Sequence, residues 1–104
     1  MLVAFSIAPG TPDPDGSVSA AVATAIRIVR ESGLPNETTS MFTTIEGEWD
    51  EVMAVVKRCV DALLEQSDRV SLVLKADIRP GHTGQLTAKV QRIEQRLVDE
   101  PTAP

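Results

Sequence analysis

The chain reads as an α+β domain, one domain over residues 1–104, and three observations carry that reading. Apolar residues alternate with period two at Leu2–Ala8 and Val70–Arg79, the pattern of half-buried strands. They recur at i, i+3, i+4 over Val18–Glu31 and Trp49–Gln66, the pattern of amphipathic helices. Breakers stand between these runs at Pro9-Gly10, Gly33 to Pro35, Gly47 and Pro80-Gly81.

The elements follow in order. In the first strand, Leu2 to Ala8, Val3, Phe5 and Ile7 point one way and Leu2, Ala4, Ser6 and Ala8 the other. The stretch TPDPDG (11–16) is a loop, and Ser17 fits the N-cap of the helix that follows. That helix carries one stripe of Val18, Ala21, Val22, Ala25, Ile26 and Val29. Gly33 suits its C′ position and Pro35 stops it. Asn36 to Thr39 and Phe42 to Glu46 read as a hairpin turning near Ser40 and Met41.

Gly47 ends the hairpin, and Glu48, Asp50 and Glu51 then favour the positive end of a second helix. Its stripe is Val52, Val55, Val56, Cys59, Val60 and Leu63. The longest strand, Val70 to Arg79, sets Val70, Leu72, Leu74, Ala76 and Ile78 against Ser71, Val73, Lys75, Asp77 and Arg79. A last helix over Gln85–Val98 has a narrow stripe of Leu86, Val90, Ile93 and Leu97, and the tail DEPTAP reads as frayed. The order β-α-β-β-α-β plus a C-terminal helix is the ferredoxin-like plan. It predicts an antiparallel four-stranded sheet in the order four, one, three, two, with two helices over one face.

Composition narrows the function. With two Phe, one Trp and no Tyr, the core is built from Val, Leu, Ile and Ala. A formal net charge of −5, with Arg27 and Arg30 the nearest thing to a basic patch, argues against nucleic acid as a partner. No apolar run is long enough to cross a bilayer, and MLVAFSIAPG lacks the basic start of a signal peptide. The lone Cys59 excludes an intrachain disulfide and a cysteine zinc cluster. Together these features predict a cytoplasmic protein without membrane partners. A chain this short has little surface for a deep private pocket, so a ligand site between subunits is expected.

The strand phases group the polar residues. If Val3, Phe5, Ile7, Ile45 and the apolar set of the last strand face the helices, the other face carries Ser6, Thr44, Glu46, Lys75 and Asp77. Leu2, Ala4, Phe42 and Val73 share it. A mixed face suits a sheet-to-sheet subunit contact holding a polar ligand; an ordinary solvated face with an ion pair is the plainer alternative. Two carboxylates and an ammonium can hold an amine or an aminopyrimidine, a carboxylate accepting from the exocyclic amino group. Trp49 or Phe42 could stack on a flat ring, although helix-to-sheet packing is the commoner use of such a Trp.

The segments FSIAP (5–9), TTIEGEWDEVM (43–53) and KADIRPG (75–81) together resemble the small thiamine-binding (YkoF-like) protein family, in matching element order from Leu2 to about Leu97. The resemblance implies a ferredoxin-like subunit that pairs sheets and forms a homotetramer, a dimer of dimers. It implies binding of thiamine or its hydroxymethylpyrimidine moiety without catalysis and without a cofactor. Carried over by motif position, Ser6, Thr44, Glu46, Lys75 and Asp77 are the ligand contacts, with Arg79 in the same phase at the strand's end. The proline-rich loop TPDPDG departs from the family pattern.

Other conspicuous residues read plainly. His82, the only histidine, sits in a Pro-Gly-His-Thr-Gly loop and has no zinc partners in sequence reach. Cys59 is a core thiol on a buried stripe. Gly81 and Gly84 belong to no phosphate-binding motif. The acids Glu46, Glu48, Asp50 and Glu51 read as a charged helix start, a divalent ion on oxygen ligands being the other possibility. Two further classes stay open at this point. One is a small dimeric ferredoxin-like enzyme using Glu46 or Asp77 as a base; the other is an assembly module whose open face only joins subunits.

Overall fold

The computed structural model describes residues 1–11 and 14–100. The elements are β1 (Leu2–Pro9), α1 (Ser19–Glu31), β2 (Asn36–Thr38), β3 (Thr43–Glu46), α2 (Trp49–Leu64), β4 (Val70–Asp77) and α3 (Gln85–Asp99). The four strands form one antiparallel sheet in the order β2-β3-β1-β4, as the sequence pattern predicts. Pro12 and Asp13 of the proline-rich loop, and Pro101–Pro104 of the tail read as frayed, lie outside the described residues.

The core forms where α1 and α2 cover one face of the sheet. Val3, Phe5 and Ile7 of β1 and Ile45 of β3 meet Ala25 and Val29 of α1 and Val52, Val55, Val56, Cys59 and Leu63 of α2, all buried. The α1 stripe differs from its expected membership. Ile28 joins Ala25 and Val29 against the core, while Val22 and Ile26 sit on the helix's half-buried shoulder. The outer strand departs too. Leu74 and Ala76 of β4 are partly buried, but Leu72 is 40% exposed and Ile78, beyond the end of β4, is 58% exposed. As an edge strand, β4 has a neighbour on one side only, and α2 reaches just part of its length.

Local chemistry sets the boundaries. Val18 occupies the N-cap of α1, one residue beyond the expected Ser17, yet the Ser17 hydroxyl still accepts the Ser19 N–H at 3.0 Å. Glu48 precedes α2, and its N–H donates to Glu51 Oε1 at 2.8 Å, half of a capping box. The turn after α2 is held by buried Ser67, whose hydroxyl accepts the Gly10 N–H and donates to Arg69 O. Gly10 has no space for a side chain there, since a Cβ would lie 2.8 Å from Arg69 Cβ. Pairing of β3 with β1 stops at Phe5–Thr43, so Phe42 falls outside the strand and stands 37% exposed.

α3 does not join the helical layer. It has no buried residue, and its stripe is bare: Val90, Ile93 and Leu97 are 55%, 59% and 62% exposed. The molecule is correspondingly elongated, 51 × 35 × 19 Å, with a radius of gyration of 16.4 Å. A closed domain of this length would have about 13 Å.

Candidate functional site

Antiparallel register decides which side chains are neighbours, because directly opposed residues share a face. Leu2 stands opposite Glu46 on one side and Asp77 on the other. Ala4 stands opposite Thr44 and Lys75, and Ser6 opposite Val73. The helices cover the face of Val3, Phe5 and Ile7, so these rows lie on the opposite one. Strand spacing puts Glu46 and Asp77 about 10 Å apart across Leu2, and Thr44 and Lys75 about 10 Å apart across Ala4. Consecutive rows are about 7 Å apart, which sets Ser6 about 13 Å from the Leu2 row. The face therefore offers one compact patch of four polar residues over a floor of Leu2 and Ala4, with Ser6 at its far margin.

The first turns of α3 lie over the Leu2 row. Glu46 Oε2 accepts the Gln85 N–H at 2.9 Å and Oε1 accepts the Leu86 N–H at 3.2 Å. The cause is electrostatic and stoichiometric. The first N–H groups of a helix lack internal partners and carry partial positive charge. α3 opens on Gly84, in the left-handed region at φ 66°, with no side-chain cap and no acid in its first turn. Glu46, only 7% exposed, supplies the missing acceptor from β3. Asp77 is tied to the same helix by Lys89. The hydrogen bond and charge of Lys89 hold the Asp77 carboxyl below its usual range, with smaller help from Lys75 and Arg79.

Both carboxylates thus have partners within the chain, which strand phase alone does not reveal. The available signal was the empty first turn of α3. A Gly at the N-cap followed by Gln-Leu-Thr-Ala calls for an acceptor from elsewhere.

Two hollows flank this anchor. On the Glu46 side, a mostly apolar hollow of about 460 Å³ is bounded by Leu34, Pro35 and Leu86, with Glu46, Glu48 and Glu51 at its rim. On the Asp77 side, a recess of about 40 Å³ lies between the end of β4 and α3, lined by Arg79, His82, Lys89 and Arg92 together with Asp77 and Gln85. Sequence reading placed the nearest basic patch at Arg27 and Arg30; this second gathering escapes it because one cation follows a strand and two sit a helical turn or two further on.

Trp49 opens α2 on the helical layer and is 54% exposed, rather than packed between helix and sheet. Cys59 is the core thiol expected of its stripe; its Sγ lies 3.5 Å from Ala25 O, and burial pushes its pKa up to about 11. Among the described residues, no group of three or more His, Cys, Asp or Glu side chains could hold a metal ion. No helix among them is long and apolar enough to cross a membrane.

Fold and site define a ferredoxin-like protein with an open, polar sheet face and a C-terminal helix pinned by its first turn. The chain belongs to the thiamine-binding protein family, whose model matches residues 3–94. A UPF0045 protein of Mycobacterium bovis is 51% identical over 100 residues, covering 94% of this chain and 95% of its own. A solved structure from Methanocaldococcus jannaschii superposes with a TM-score of 0.80 at 31% identity, over 90% of this chain and 95% of that one. A Thermotoga maritima structure, named for thiamine biosynthesis or salvage, gives 0.73 at 27% identity, over 88% and 97%.

Proposed function

We propose that the protein binds thiamine or its hydroxymethylpyrimidine moiety on the open sheet face, at a subunit interface, and does not transform it. Ser6, Thr44, Glu46, Lys75 and Asp77 are the contacts. One observation carries the reading: the register sets Glu46, Asp77, Thr44 and Lys75 around Leu2 and Ala4 in two adjacent rows. A flat pyrimidine lies against such a floor, its amino group donating to a carboxylate and its ring nitrogens accepting from a hydroxyl or ammonium. Glu46 remains able to take part, because an ionised carboxylate offers about four acceptor positions and α3 uses two. Family membership and the thiamine-related name of the Thermotoga maritima neighbour support the ligand class.

The assembly is a homotetramer, a dimer of dimers, working in the cytoplasm. The bare stripe of Val90, Ile93 and Leu97, beside the part of the sheet face that α3 leaves uncovered, supports further association of the chain.

Native mass spectrometry with thiamine, hydroxymethylpyrimidine and riboflavin tests both halves of the reading. Four subunits retaining one of the first two compounds, and not riboflavin, is the expected result. Asp77→Asn is expected to weaken retention without unfolding the protein. A tetramer that retains neither compound removes the ligand; a monomer that retains thiamine removes the interface.

A further inference from the structure

The recess beside Asp77 has a charge at odds with the rest of the molecule. The chain as a whole carries −5, yet Arg79, Lys89 and Arg92 put three basic side chains around one carboxylate, with His82 beside them. Lys89 pairs with Asp77, leaving two guanidinium groups against no second acid in the lining among the described residues. Arg92 donates to the neutral side-chain amide oxygen of Gln85, Oε1, at 2.9 Å, which orients it without cancelling its charge. No hydrogen bond to the Arg79 guanidinium is found among the described residues. His82 Nδ1 lies 3.2 Å from Pro80 O. A carbonyl oxygen only accepts, so in this contact Nδ1 carries the proton, and Nε2 of the neutral ring is an acceptor.

Size and position point the same way. The recess holds about three water molecules' worth of space, the scale of a tetrahedral oxyanion rather than a ring. It is continuous with the candidate site, since Leu2 and Asp77 both line it and both belong to the row that ends at Glu46. Guanidinium groups present forked N–H donors that match phosphate oxygens two at a time.

We propose that this recess takes the phosphate of a phosphomonoester, so that the preferred ligand of the face is a phosphorylated form of the pyrimidine or of thiamine. The assignment rests on the binding reading above for its organic part and on the recess alone for its anion. The ring lies on Leu2 and Ala4, the ester group extends past Asp77, and Arg79 and Arg92 close on its oxygens. The surrounding negative charge weakens binding of free anions without abolishing it, so a phosphate carried on a ligand that the sheet face also holds is favoured over free phosphate.

Isothermal titration calorimetry of the full chain with thiamine, thiamine monophosphate and inorganic phosphate tests it. Thiamine monophosphate should bind about tenfold or more tighter than thiamine, the least that one added charge-assisted hydrogen bond gives. That ratio should fall toward one in Arg79→Gln and Arg92→Gln, both at exposed positions where melting temperature checks the fold, and it should shrink as salt is raised. Thiamine binding as tightly as its monophosphate, or more tightly, overturns the phosphate assignment and leaves the thiamine reading standing. If neither organic compound binds, the thiamine reading fails and amide shifts on adding inorganic phosphate decide the recess. Shifts at Gly81–Leu86 that vanish in Arg79→Gln uphold it, and their absence overturns it.

Discussion

Replacing Glu46 with Gln isolates the contact that pins α3. The carboxylate accepts two backbone N–H groups, from Gln85 at 2.9 Å and Leu86 at 3.2 Å, and is 7% exposed. Gln keeps one acceptor oxygen; its amino group, placed where the second oxygen stood, meets an N–H that also donates. A hydrogen bond to a charged group contributes about 1.5–3 kcal/mol net, and charge at a helix start adds about 0.3–1 kcal/mol. Losing one bond, the charge on the other and the dipole contact amounts to about 2–3 kcal/mol.

That loss is local, because α3 touches little of the molecule beyond this point and buries none of its residues. Opening of the helix base should rise about 30- to 150-fold, at a tenfold change per 1.4 kcal/mol. Amide hydrogen exchange read by NMR measures it directly. Gln85 and Leu86 should exchange faster by that factor while Val29, Ile45 and Val52, deep in the core, keep their rates. Unchanged exchange at Gln85 and Leu86 would refute the anchoring argument. Equal acceleration in the core would show instead that Glu46 supports the whole fold.

Further outcomes follow from other contacts. Lys89→Ala should raise the Asp77 pKa toward the ordinary carboxylate value of about 3.9, read by side-chain carboxyl NMR titration, because Lys89 is the chief cause of its lowering. A depressed pKa favours the folded state above the unfolded value, so in the wild type this contribution fades as acid is added through the lowered pKa and is absent from the variant. The Cys59 thiol should resist an aromatic disulfide reagent in the folded chain. Because the unfolded thiol ionises near 8.5 and the folded one near 11, urea midpoints should fall as pH rises across that window, less steeply in Cys59→Ala. Gly10→Ala brings a Cβ to 2.8 Å from Arg69 Cβ and 3.0 Å from Arg69 O, and should cost about 1–3 kcal/mol in urea unfolding.

Much of the fold was legible because two periods do not resemble each other. Val3, Phe5 and Ile7 against Leu2, Ala4 and Ser6 allowed one assignment of faces, and the register of β1 with β3 and β4 follows it row by row. The α2 stripe was equally plain, from Val52 to Leu63. What the sequence concealed was coverage. Phase says which way Leu72 points, but not that an edge strand leaves it 40% exposed. Periodicity announced an apolar stripe on α3, but not that the stripe would lie bare. The two acids of the candidate site were placed on the correct face; that a later helix would claim both depends on contacts across 39 and 12 residues of chain, which no local pattern records. The basic recess was hidden for the same reason.

The slender hold on α3 has a mechanical consequence. A helix of 15 residues is about 22 Å long, and here it is clamped at one end. It behaves as a pointer: each 10° of swing about its clamp carries the tip about 4 Å, about the width of a methyl group and comparable to a missed side-chain fit. The bearing of Leu97 and Val98 is therefore steered by a few ångströms of carboxylate geometry at the opposite end, and any small shift of the β3 terminus is magnified before it reaches them.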